Sequence, residues 1–297
     1  MSTIKNILIP TDFSETANLA VAHGAHMAHL FNAKIYLLHS VETTMYVGGP
    51  GEPVLVQAAE KLYEKGSEQL NRVADEITKK HDVEIVALMV SGKPAKAITN
   101  AIKENNIDIV VMGTHGASGF EEFFVGSNTH KVVNLATCPV ISVRLTTKNV
   151  GFSNIVLPIT NEIYSRQKVN NVIELASKYN STVHILGLLT AEEADDEKKF
   201  EIKLESVEHK LKGANINFTK KVMKAENPAT ESMKFSENIG GDLIVIMTDH
   251  ESELTGIFLG TVARQIVNHS NIPVMSIRPV ETMIETFDPA GGTGVSV

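Results

Sequence analysis

The stretch that decides the fold runs from residue 107 to residue 144, "IDIVVMGTHGASGFEEFFVGSNTHKVVNLATCPVISVR". It opens on a short apolar run rich in β-branched residues and passes through a glycine-bearing polar segment. It then continues as "SNTHKVVNLA", whose apolar residues recur at helical spacing. A second apolar run, "PVISVR", closes it behind Pro139. Strand, loop, helix and strand make one unit of a parallel sheet, because parallel neighbours need a crossover between them. The loop carries the question of function. Gly113 and Gly116 follow the first strand directly, and Gly126 stands just ahead of the helix.

The same alternation extends toward the N-terminus. "KNILIP", "AKIYLLHS" and "VEIVALMV" read as further strands, and residues 14–31, 57–80, 94–104 and 127–136 carry helical spacing. Right-handed crossovers between near-continuous apolar strands predict a five-stranded parallel sheet with helices on both faces. Ser14 is placed to cap the first helix.

The unit occurs twice. "KNILIPTDFS" returns as "SNIVLPITNE" from Ser153, pairing Asn6 with Asn154 and Pro10 with Pro158. "GKPAKAITNAIKENNIDIVVMGTHG" returns as "AENPATESMKFSENIGGDLIVIMTD", with Pro94 opposite Pro228 and Asp108 opposite Asp242. The spacing then holds through to "CPVISVR" and "IPVMSIR". The fold class predicted is α/β, two tandem doubly wound domains of the Rossmann-like or flavodoxin-like kind. They span residues 1–146 and 152–280, with residues 281–297 a disordered tail. Each closing strand begins with proline and ends a domain, which suits an edge.

Composition narrows the function. Of 297 residues, 43% are hydrophobic and 21% charged, as in a globular protein. A net charge of −8 opposes a general nucleic-acid binder. Cys138 is the single cysteine, so there is no disulfide framework, and its setting in "LATCPVISV" reads as inert packing. No segment approaches the roughly 18 apolar residues of a membrane helix. The first residues read as a strand and not as a signal peptide, so a soluble cytoplasmic protein is expected.

Ligands of such sheets lie beyond the carboxyl ends of the strands. There the first copy carries Thr11 and Asp12 after strand one, and His39 and Ser40 after strand two. Asp12 can accept hydrogen bonds from a ribose or a base amine; it can equally be a turn aspartate bonded to its own backbone. After strand four, glycines lead to a helix start with Ser127 and Asn128, where unpartnered amides and the helix dipole favour an anion, most often phosphate. A glycine-rich loop ending in a plain helix cap is the alternative reading.

The pattern Gly113-x2-Gly116-x9-Gly126-Ser127, with "IPTDFSETA", "GKPAKAI" and "CPVISVR" around it, resembles the ATP-binding signature of the universal stress protein family. The resemblance covers nearly the whole chain. It implies a fold of the adenine nucleotide alpha hydrolase-like type that binds ATP, or ADP or AMP, and forms dimers. By that resemblance Thr11 and Asp12 lie at the adenosine, the Ser40 backbone at the adenine edge, and Met112 beneath the nucleoside. Gly113, His115, Gly116, Gly126, Ser127 and Asn128 would hold ribose and phosphates. The resemblance also implies that the last strands pair the two copies about a pseudo-twofold axis, with a homodimer beyond that. Mg2+ would come with the nucleotide, held by its phosphates and not by protein side chains.

The second copy departs from this pattern. Thr160 stands for Asp12, Met247 for Gly113 and His250 for Gly116, which reads as a partner domain without the same nucleotide pose. The phosphate-binding lysine of GxxxxGK[ST] is absent and no arginine finger is evident, so slow hydrolysis at most is expected. A nucleotide-dependent regulator acting on an unidentified protein partner is the first reading. An ATP-independent scaffold and a nucleotide-hydrolysing enzyme of similar architecture are the alternatives. Elsewhere, His23, His26 and His29 recur every third residue and drift around a helix, so they read as partly exposed positions and not as a metal site. Glu121 and Glu122 read as solvent-facing beside packing phenylalanines.

Overall fold

The computed structural model describes residues 4–42, 52–114, 126–147, 149–190, 197–248 and 260–280, with side chains in the helix that begins at residue 52 described from residue 59. The first half alternates β1 (Asn6–Pro10), α1 (Glu15–Phe31), β2 (Lys34–Val41), α2 (Glu52–His81), β3 (Ile85–Ser91), α3 (Pro94–Glu104), β4 (Ile109–Gly113), α4 (Ser127–Leu135) and β5 (Val140–Val143). The second repeats it as β6 (Asn154–Ile159), α5 (Val169–Tyr179), β7 (Thr182–Leu189), α6 (Glu197–Gly213), β8 (Phe218–Lys224), α7 (Pro228–Ile239), β9 (Leu243–Met247), α8 (Thr261–His269) and β10 (Val274–Ile277). The expected tandem α/β architecture is what forms.

Local chemistry sets the helix ends. The Ser14 hydroxyl accepts the Ala17 amide at 3.2 Å, capping α1. Asn32 and Asn180 close α1 and α5 in the left-handed region, which asparagine tolerates better than most residues. Pro94 and Pro228 open α3 and α7 at the position where a missing N–H costs nothing. Asp108 and Asp242 are registration pins. One Asp108 oxygen accepts the amides of Lys5 and Asn6 at 2.8 and 2.9 Å, and the two Asp242 oxygens accept those of Ser153 and Asn154, one each.

All ten described strands join one sheet, ordered β3-β2-β1-β4-β5-β10-β9-β6-β7-β8. Within each half every pairing is parallel; β5 and β10 meet antiparallel. Their register sets Ile141 opposite Met275, two positions that the internal repeat makes equivalent, so a pseudo-twofold axis passes between them. The closing strands are thus edges of their own halves but the centre of the joint sheet. Each is buried throughout because its outer side is covered by the other.

Side chains alternate between two layers. Ile7, Ile9, Ile109 and Val111 face the core shared with α1, α2, α5 and α6. Leu8, Val110 and Met112 face the core shared with α3, α4, α7 and α8. Both cores run through both halves. Among the described residues no helix is long and apolar enough to cross a membrane.

One side-chain environment differs from expectation. His23 is 1% exposed and not a partly exposed helix position, with its ring stacked 5.4 Å from that of Phe152 in the second half. Burial, with His26 nearby, pushes its imidazole down to about 4. α1 is covered on one side by its own sheet and on another by α5 and the joining segment, so the flank that carries His23 is buried, while Asn18 and His29 stay exposed. Cys138 packs half-buried against the second core, where burial pushes its thiol up to about 12 and leaves it inert.

Candidate functional site

The chain turns from β1 outward to β2 and β3, then returns to β4 and β5 on the other side. β1 and β4 pair only through Ile7↔Ile109 and Leu8↔Val110, so their carboxyl ends open a crevice at this switch point. A cavity of about 350 Å³ fills it.

Thr11 and Asp12 form its rim at the end of β1. Thr11 is held three ways. Its amide donates to the Leu38 carbonyl at 2.8 Å, its hydroxyl accepts the Phe13 amide at 3.0 Å, and its carbonyl accepts from His39 Nδ1 at 2.8 Å. These bonds and the Phe13–His39 ring contact at 4.4 Å hold Phe13 at a φ of 65°, a conformation that costs a non-glycine residue about 1–3 kcal/mol. The turn so fixed presents the exposed Asp12 to the cavity. Asp12 Oδ1 also accepts the Ser14 amide at 3.1 Å, so the turn reading of this residue holds while the residue lines the cavity.

Ser40 lines the same cavity. Because the Leu38 carbonyl accepts from Thr11, strand alternation turns the Ser40 amide and carbonyl to the same side, past the point where β1 has left the sheet. Leu38, Met112 and Ile98 give an apolar floor suited to a flat hydrophobic face. On the opposite rim α4 starts at Ser127 with no side-chain cap. Its first internal bond runs from the His130 amide to the Gly126 carbonyl, which leaves the amides of Ser127, Asn128 and Thr129 ahead of it. With half a positive charge at that end and no acidic residue in the first turn, the rim attracts anions.

Eight of the ten expected site residues therefore meet around one cavity: Thr11, Asp12, Ser40, Met112, Gly113, Gly126, Ser127 and Asn128. His115 and Gly116 lie outside the described residues, as do Glu121 and Glu122. Sequence reasoning missed Leu38, Pro94, Ile98, Thr114 and Thr129. Leu38 was within reach, since it shares a strand side with Ser40 two residues on. Thr129 was not: its hydroxyl donates to the Gly113 carbonyl at 3.1 Å and braces the loop from below.

Gly113 and Gly126 also answer to packing within the chain. A Cβ on Gly113 would stand 3.0 Å from the Thr16 carbonyl carbon and 3.1 Å from the Ala17 amide nitrogen, so the bare position admits the first turn of α1. Gly126 is similarly tight, 3.0 Å from the Thr114 carbonyl oxygen, and its amide donates to that oxygen at 2.7 Å. Gly113→Ala is expected to lower stability by about 1–3 kcal/mol through overpacking against backbone. Thermal unfolding checks it; an unchanged midpoint would mean that α1 yields freely.

The second half shows what happens when that glycine is lost. Met247 is 8% exposed within the core, and α5 begins only at Val169, whereas the repeat places the start of its counterpart α1 at Glu15, opposite Ile163. The displaced residues form turns over the end of β6. There Lys203 from α6 donates to the carbonyls of Asn161 and Glu162 at 2.6 and 3.3 Å and to Asn161 Oδ1 at 3.1 Å. Lys168, 4% exposed, is drawn in as well, and burial pushes its ammonium down to about 8 against the attraction of Glu162.

The profile of the universal stress protein family matches residues 3–144 and again residues 151–278. The chain belongs to the universal stress protein family. Universal stress protein MJ0531 of Methanocaldococcus jannaschii is 34% identical over 140 residues, which is 47% of this chain and 82% of that one. Universal stress protein YxiE of Bacillus subtilis is 30% identical over 145 residues, 46% of this chain and 97% of that one. Each relative thus matches about half of this chain. A universal stress protein structure from Archaeoglobus fulgidus covers 92% of this chain and 98% of its own, with a TM-score of 0.73 at 18% identity, which establishes the shared tandem fold.

Proposed function

We propose that this universal stress protein binds an adenine nucleotide, ATP or its ADP or AMP forms, in the N-terminal half and acts as a nucleotide-dependent regulator. The observation that carries the reading is the cavity between β1 and β4, which combines an apolar floor, an acidic rim at Asp12 and an uncapped helix start at Ser127. Those three features match the three parts of a nucleotide: a flat base, a ribose with hydroxyl donors, and a phosphate chain. The Ser40 main chain offers the edge of the base a donor and an acceptor.

The same features argue for binding over fast chemistry. Among the described lining residues Asp12 is the one carboxylate, and there is no lysine or arginine to stabilise charge developing on a transferred phosphoryl group. Mg2+ fits this arrangement as an ion carried on the phosphates with at most one protein carboxylate near it. With β5 already paired to β10, association of two chains would use another surface.

Asp12→Asn is the discriminating variant, because the amide oxygen keeps the bond to the Ser14 amide while the charge is lost. Calorimetry should show ATP affinity reduced by about 1–3 kcal/mol, the worth of a charge-assisted hydrogen bond. Equal binding by both proteins would remove Asp12 from the site. Mass spectrometry of small molecules released from the purified protein identifies which nucleotide it carries.

A further inference from the structure

At the amino-terminal ends of β7 and β8, opposite the end of the sheet that carries the nucleotide cavity, a second cavity of about 270 Å³ lies where α5 and α6 finish. Its lining includes Ser177, Asn180, Ser181, Ala214, Asn215 and Asn217, and among them there is no charged side chain.

The other half of the molecule shows what this corner accommodates. Asn32 and Asn180 are equivalent left-handed caps, and Ala33 donates to Ala28 as Ser181 donates to Ala176. Asp82 and Asn215 share a left-handed φ, 51° and 56°, and Ile35 bonds the Glu84 carbonyl as Val183 bonds that of Asn217. By this register Ser177 stands where the first half has His29, and Ala214 where it has His81. In the first half the His29 ring donates from Nδ1 to the His81 carbonyl at 3.1 Å, bridging the ends of α1 and α2. The second half has the same two helix ends, where the Ala176, Lys210, Leu211 and Lys212 carbonyls accept the chain's own amides. It has exchanged both imidazoles for a hydroxymethyl and a methyl group, but keeps at Ala214 the counterpart of the carbonyl that the His29 ring reaches.

We propose that this corner binds a small neutral heterocycle of the imidazole class, whose N–H takes the place of the His29 ring and donates to the Ala214 carbonyl, as His29 does to His81. Asn180, Asn215 and Asn217 supply amide donors and acceptors for the ring's other nitrogen. The two helix ends already have positive charge beside them, from Lys178 in the last turn of α5 and Lys210 and Lys212 in that of α6, so a neutral ring serves there.

The test uses the full chain and imidazole itself at about pH 8, well above the unperturbed pKa near 6.5 of an imidazole side chain. Titration followed by 1H–15N NMR should show saturable shifts of the Asn180, Asn215 and Asn217 side-chain amides, half-complete at millimolar ligand. In Ser177→His/Ala214→His, which refills the corner with the first half's own groups, those shifts should vanish. The reciprocal His29→Ser/His81→Ala protein should gain a second set of saturable shifts around Asn32. Shifts that grow linearly without saturating, as for a corner holding water alone, would overturn the proposal. Equal saturable shifts in the wild type and in the refilled variant would also overturn it. If the refilled variant fails to fold, the reciprocal variant decides: no new site around Asn32 sinks the assignment.

Discussion

Asn128→Asp is expected to leave the protein as stable as before, or slightly more so, and, on the proposed function, to remove most of its nucleotide affinity. The two effects separate because they act on the same helix end in opposite senses. Asn128 is the second residue of α4, which has no acidic residue in its first turn and no side-chain cap. A carboxylate there interacts favourably with the dipole by about 0.3–1 kcal/mol. The same charge faces the phosphates across the cavity rim. At about 4 Å and an effective dielectric near 20, two unit charges interact by about 4 kcal/mol. Allowing for a longer, partly hydrated separation, a loss of about 3 kcal/mol, or roughly a hundredfold in affinity, is expected. Calorimetry with ATP measures it, and added salt should narrow the gap between variant and wild type. An aspartate variant that binds as the wild type does would place the phosphates elsewhere than α4.

Acid should weaken the fold through His23. Its imidazole is held at about 4 in the folded chain, against 6.5 when exposed. Between those values the unfolded chain binds the proton and the folded chain does not, so stability is full above about pH 6.5 and falls as pH drops toward 4. The difference corresponds to about 3 kcal/mol. Asp242 and Glu174, whose carboxyls burial raises, act in the opposite sense, so the comparison must be with a variant at each pH. His23→Phe keeps a ring against Phe152 and has nothing to protonate. Urea unfolding at pH 7 and pH 4 should show the wild type losing about 3 kcal/mol more than this variant. Parallel losses would mean that the ring finds solvent or a partner on protonation.

The unit of fold was legible because each signal was local and repeated. Pro94 and Pro228 mark helix starts, Asp108 and Asp242 mark strand starts, and the apolar runs alternate with helical ones throughout. The site was legible where residues follow a strand end in sequence, as Thr11, Asp12, Ser40 and Met112 do. What escaped depends on packing between distant segments. The environment of Gly113 is set by α1, nearly a hundred residues earlier in the chain, so spacing gave the glycine but not its cause. The burial of His23 escapes helix periodicity because a second flank of α1, beside its wet face, is covered by Phe152 of the second half. The unwinding before Val169 could be seen only once Met247 was known to point into the core.

The antiparallel meeting of β5 and β10 has a consequence for handling the protein. Because the stretch from Arg144 to Ser153 ties β5 to the half that carries β10, their joining is a unimolecular event with a fixed effective concentration. Dilution, which would bare this ribbon in an assembly of separate subunits, leaves it closed here. The sheet's two outermost ribbons are β3 and β8, and β8 carries Lys220, Lys221 and Lys224, charges that discourage a stray strand from adding on that flank.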